Sequence, residues 1–239
     1  MNSTLVSLTG AGFVLVTVVF YGLFFRVLKT AISQTSWTQE RKMAISNRFL
    51  LVTLLWGSLI MGIAATGFFS DFSMFPPRFA VAILIPMVII LIALFSKPVT
   101  EILPHIPAKS LLNLQVFRVF VELLLWAAFV VGMAPEQVTF EGRNFDVLSG
   151  ILGPVVAAFF VNNRTAVYVY HFISLGLLIN IVGVAFLSLP TPFRMFLNEP
   201  STVMVSQFPV IILPSMLVPL AYGLSFMSLR QLSIARKQS

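Results

Sequence analysis

Gln115, Arg118 and Glu122 lie inside a predominantly apolar run, residues 111–132, LLNLQVFRVFVELLLWAAFVVG. Spaced three and four apart, they share one helix face. Counted from Ser110, Arg118 lies roughly 12 Å into such a helix and Glu122 roughly 18 Å in. The hydrocarbon core of a bilayer is about 30 Å thick, which puts Glu122 near the midplane. A charge there costs about 2.5–3.5 kcal/mol on insertion scales. Both residues must therefore face a protein interior or a wet cavity, where a carboxylate and a guanidinium can hold an ion, a proton or a polar ligand group. Glu122 leans back toward Arg118. Arg before Glu is the weaker order for a helical pair, so Glu122 is expected to find a second partner on another helix.

Three polar residues in other apolar runs reach the same depth. Asn180 and Ser215 lie roughly 20 Å in, and Ser149 roughly 18 Å in. With Glu122 they define a candidate polar layer, and with Gln115 and Arg118 a candidate binding set. The competing reading is interhelical bonding that only holds the bundle together, at about 0.6 kcal/mol per bond.

A second constellation is the segment FEGRNFD, residues 140–146. Asn144 or Asp146 is placed to cap the helix that follows. Glu141 and Arg143 have signs complementary to Glu199 and Arg194 in a later loop. Together these six residues form a candidate outer mouth, with a latch between two loops as the plainer alternative. A helix N-terminus there favours an anionic group.

The elements that must position these residues follow from composition. Only 10% of the 239 residues are charged, against about 25% in soluble domains, so the whole chain reads as one membrane domain over residues 1–239. Apolar runs predict an all-α, seven-span bundle, with spans at about 5–25, 49–69, 79–95, 110–133, 147–161, 167–189 and 203–229. The first is read as a retained span, because MNST is no basic leader and no small-residue cleavage site follows. On seven spans, one loop set carries eleven Lys and Arg residues and the other only Arg78, Arg143 and Arg194. The basic set belongs in the cytoplasm, with the N-terminus outside and the C-terminus inside. The net charge of +7 is then an insertion signal and does not call for a nucleic-acid partner.

The chain has no cysteine and two histidines, His105 and His171. Thiolate chemistry is excluded, a three-histidine zinc site is out of reach, and no metal or cofactor is expected. The last span has no lysine to carry a retinal Schiff base.

The run QVFRVFVE, followed by FEGRNFD and by LLINIV…LSLPTPFR…FP, resembles a family of uncharacterised multi-pass membrane proteins found in bacteria. The resemblance covers about 103–232 and implies a bacterial inner-membrane setting, with no implied activity.

Three functions compete. The favoured one is small-molecule binding or transport through a polar interior around Arg118 and Glu122, which requires a cavity reaching Glu122. The alternative is a non-catalytic structural or accessory subunit, which requires a dry, closed pair. An intramembrane enzyme ranks last, because neither a nucleophile nor a metal set accompanies Glu122. The expected partners are the lipid bilayer and a small-molecule or lipid ligand, with a homo-oligomer left open.

Overall fold

A computed structural model describes residues 3–237, all helix, turn and loop. The helices are α1 (Ser3–Ser33), α2 (Gln39–Ala65), α3 (Ala80–Leu94), α4 (Lys97–Ile102), α5 (Ala108–Leu114), α6 (Phe117–Val130), α7 (Val147–Phe159), α8 (Arg164–Leu187) and α9 (Val218–Lys237).

The chain turns its apolar surface outward. Leu51, Leu54 and Leu55 of α2, Leu84, Val88 and Ile92 of α3, and Phe172 of α8 are all exposed. A face this apolar suits a hydrocarbon surround better than water. Among the described residues four helices are long and apolar enough to cross a membrane: Thr4–Ser33, Gln39–Ala65, Ala108–Val130 and Arg164–Leu187. Ala80–Leu94 and Lys97–His105, bent by 62°, make a fifth if the pair is one span. These features are consistent with a multi-pass membrane protein.

The seven-span, seven-helix reading is therefore corrected. Helix α7 has 13 residues and is about 20 Å long, short of the roughly 30 Å hydrocarbon core. The predicted span 203–229 is not one helix. It divides into a 3-10 turn, Thr202–Ser206, a π-helical turn, Leu213–Leu217, and α9. Prolines cause the division. Pro219 has no N–H to offer the carbonyl of Ser215, four residues before it. The Nε1–H of Trp56 serves that oxygen instead, at 3.1 Å. The inside–outside orientation was counted over seven crossings and does not stand without them.

Two predicted loops are largely helical. Residues 26–48 contain the end of α1 and the start of α2, joined through Gln34–Thr38, where Thr38 caps α2. In 97–109 the prolines sit where helices start, Pro98 in the first turn of α4, Pro104 in that of a 3-10 turn and Pro107 at the cap of α5, where a missing N–H costs nothing.

The run 108–130 breaks at Gln115–Val116, where the bonds tighten to the i→i+3 type: Gln115 to Leu112 and Arg118 to Gln115, each 3.1 Å. Beyond α6, Gly132 adopts φ +75°. The next N–H, from Met133, closes on the carbonyl of Ala128 at 2.8 Å, a left-handed stop that favours glycine.

The end of the chain forms the centre of the bundle. Nearly every residue from Val210 to Ser225 is buried, with Ile211, Leu217 and Leu224 almost fully enclosed. Helices α3, α5 and α8 pack on α9, while α7 packs between α5, α6 and α8. Gly153 permits that approach: a Cβ there would lie 2.6 Å from the carbonyl oxygen of Leu112 and 2.9 Å from the hydroxyl of Tyr170.

Candidate functional site: a buried Arg, Asp and Glu cluster

Helices α6 and α7, joined by residues 131–146, form the frame. Segment 140–146 alternates as it approaches α7. Asn144 and Asp146 turn inward and are buried, while Arg143 and Phe145 turn outward and are exposed. Gly142 allows the dip, since a Cβ there would fall 2.4 Å from the carbonyl oxygen of Glu136.

Arg118 points into this frame and is 2% exposed. Its Nε donates to Oδ2 of Asp146 at 2.6 Å, and its Nη2 to Oδ1 of the same carboxylate. Nη1 donates to the Ser174 hydroxyl, and Nη2 also reaches the Ser174 carbonyl at 3.1 Å. Asp146 further accepts from the Ser149 hydroxyl at 3.2 Å. The arrangement is a two-pronged guanidinium–carboxylate fork of the strong kind, braced by α8. Asp146 occupies the cap position of α7 without a side-chain cap bond, because Arg118 and Ser149 engage its carboxylate.

Glu122, one turn above and 1% exposed, takes a different partner. Its Oε2 accepts from Asn144 Nδ2 at 2.6 Å, and the same amide nitrogen reaches the Val138 carbonyl at 3.0 Å. Asn144 Oδ1 accepts the backbone N–H of Asp146 at 3.0 Å. Asn144 thus joins the two carboxylates into one network. A helical protein with an Arg, Glu and Asp network inside its bundle is what the chain forms.

Arg118, Glu122, Ser149, Asn144 and Asp146 come together. Gln115 lies one turn from Arg118 and donates to the Ser225 hydroxyl at 3.0 Å. Asn180 is exposed and donates to the Arg143 carbonyl at 2.8 Å, and Ser215 bonds back to Ile211 within its own turn at 2.7 Å. Depth counting says nothing of which face a residue takes, and it assumes straight spans, which the π turn at Ser215 is not.

The outer-mouth residues divide. Glu141 accepts from Trp126 Nε1 at 2.8 Å, and Arg143 lies over the Phe196 ring, 5.2 Å from its centre. Arg194 pairs with Glu199 within one loop at 2.9 Å. The two loops do meet, through Arg143 on the Phe196 ring and through Gln137, which donates to Ser188 at 2.9 Å and accepts from Asn198 at 2.6 Å, without the expected ion pairs between them.

Sequence reasoning passed over Ser174 and Tyr170 on α8 and gave His171 no place in the cluster. The hydroxyl of Tyr170 donates to the Ser149 carbonyl at 3.0 Å. His171 is fully buried; among the described residues neither of its ring nitrogens, nor Oε1 of Gln115, has a hydrogen-bond partner. The three-residue spacing of His171 and Ser174 in an apolar helix was the available signal.

Beside the cluster is a cavity of about 120 Å³. Its walls are almost wholly apolar and include Phe79, Phe117, Leu178, Phe186 and Leu217, and Arg118, Glu122 and Asp146 are also in its lining. Among the described residues no group of three or more His, Cys, Asp or Glu is placed to hold a metal ion. No family model, curated protein or solved structure matches the chain.

Proposed function

We propose that this protein binds a small, mostly apolar molecule bearing one hydrogen-bond donor or cationic group, and moves it through the membrane. One observation carries the reading: an apolar cavity has Glu122 in its lining. Asp146 and Ser174 engage every nitrogen of Arg118, so Arg118 serves as scaffold. Its charge is balanced by Asp146. Glu122 is held through Oε2 by one side-chain amide, and an ionised Glu122 leaves the cluster one negative charge in excess. A donor group on the ligand offsets that charge, and the apolar walls take its body, the usual division in ligand pockets. Intramembrane carboxyls of this kind mark substrate and proton pathways. The setting we propose is the cytoplasmic membrane of a bacterium, on the resemblance of QVFRVFVE and FEGRNFD.

The test is binding and uptake in vesicles of the purified protein. The probes are small alkylamines, with the matching alkanes and carboxylates as comparisons. Amines should raise the melting temperature and enter the vesicles, and Glu122→Leu should abolish both effects while still folding. Equal response to all three probe classes, or unchanged amine uptake by the Leu variant, overturns the proposal. A folded protein that binds none of the probes favours the structural-subunit reading.

A further inference from the structure

A second, larger hollow lies away from the charged cluster. It measures about 390 Å³ and runs between α2 and α3 over the face of α9. Val52 and Trp56 form one wall, Ile89 and Ala93 the other, and Leu220 and Gly223 the floor. Val52 and Ile89 are each 48% exposed, so the hollow opens along the outer, apolar surface.

At the end lined by Tyr21, Trp56 and Ser215 the polar groups are bonded. Trp56 Nε1 is bonded to the Ser215 carbonyl and the Tyr21 hydroxyl to the Met216 carbonyl, both at 3.1 Å. These bonds close the π turn, so that, apart from Thr53 and Arg48, the groove is lined by hydrocarbon. The shallow end differs. Arg48 lines it, is exposed, and forms no ion pair or hydrogen bond among the described residues. Arg41, Arg78, Arg118 and Arg194, by contrast, all pair with carboxylates.

The position of Arg48 on its helix is equally telling. Residues 49–65, which follow it in α2, contain no charged side chain, whereas 39–48 contain Glu40, Arg41, Lys42 and Arg48. Arg48 therefore sits where α2 passes from the headgroup region into hydrocarbon. From Arg48 to Trp56 the groove runs about 12 Å along the helix, enough for the upper part of one acyl chain. The surrounding end is basic. Segments 26–48 and 97–109 hold seven Lys and Arg residues against Glu40 and Glu101, and Trp37 and Arg41 both engage Glu101.

We infer that this groove holds one anionic phospholipid, with an acyl chain lying between α2 and α3 and the phosphate on the Arg48 guanidinium. The charge argues for an anion, the lateral opening for a molecule arriving from the bilayer, and the position of Arg48 at the boundary for a headgroup anchored at lipid depth. The inference needs only the membrane setting and is independent of the cavity at Glu122.

The experiment uses the full chain reconstituted in vesicles of phosphatidylcholine and phosphatidylglycerol with identical acyl chains, then re-extracted in mild detergent. Native mass spectrometry counts the lipids retained. Phosphatidylglycerol should stay bound in preference. Arg48→Gln should weaken its retention roughly five-fold, the scale of one basic side chain near a membrane surface, and Arg48→Lys should restore most of it. Val52→Trp, which fills the groove from an exposed position, should remove the bound lipid in an otherwise folded protein. Equal retention of the two phospholipids, no effect of Arg48→Gln, or retention of an added free fatty acid to the exclusion of phospholipid would each overturn the assignment.

Discussion

Arg118 grips both carboxylate oxygens of Asp146, 28 residues along the chain, rather than the carboxylate of Glu122 one turn away on its own helix. The hairpin of α6 and α7 makes this contact. A helix face brings residues four apart to neighbouring positions, but the Arg side chain leans toward its own N-terminus, away from Glu122. Asp146, entering from the start of α7, meets the guanidinium side-on, along its Nε and Nη2 edge.

Removing either member leaves the other buried and uncompensated, at a cost of about 3–5 kcal/mol, while replacing both with apolar residues is often neutral. Arg118→Leu and Asp146→Leu should each lower the melting temperature in detergent sharply, and the double variant should recover much of the loss. The pairing with Asp146 would be refuted if Arg118→Leu were instead rescued by Glu122→Leu.

Gly153 tests the packing of α7. With a Cβ 2.6 Å from the Leu112 carbonyl oxygen, Gly153→Ala forces α5 and α7 apart. The expected loss is about 1–3 kcal/mol, typical of overpacking. Gly176 on α8 has nothing within 4 Å of its Cβ position, so Gly176→Ala should leave the melting temperature unchanged or slightly raised. Equal melting temperatures for the two variants would contradict the close approach of α7.

Asp71, in the loop between α2 and α3, gives a pH test. Hydrogen bonds from the Ser73 hydroxyl and backbone N–H hold its carboxyl below the usual carboxylate range, with a smaller pull from Arg78. A depressed folded-state pKa contributes stability that is present above the unfolded-state value and lost as pH falls through the folded one. NMR titration of the carboxyl should show Asp71 titrating below an ordinary aspartate. Ser73→Ala should move the midpoint up more than Arg78→Gln does, and the reverse order would show that the ion pair dominates.

The sequence alone determined the chemistry of the environment. Apolar runs with few charges require a membrane-type bundle, and charges buried in such runs require an inward face. That reasoning singled out Arg118 and Glu122; Asn144 and Asp146 were expected as a helix cap and an outer mouth, and the fold brings them into the same network. Partner choice was decided only by tertiary structure. Asp146 looked like a loop residue because the dip of 140–146 into the bundle depends on close contact at Gly142, which no periodicity records. Counting depth says nothing of which face a residue takes: Asn180, on the unbroken α8, is on an exposed face and bonds the Arg143 carbonyl. Ser215 lies in the proline-broken segment before α9, where its hydroxyl bonds back to Ile211. The number of full spans failed because α7 is short and that segment is broken. Hydropathy measures how apolar a run is, but whether that run forms one helix depends on which carbonyls lose their donors to proline and which distant side chains, such as Trp56, replace them.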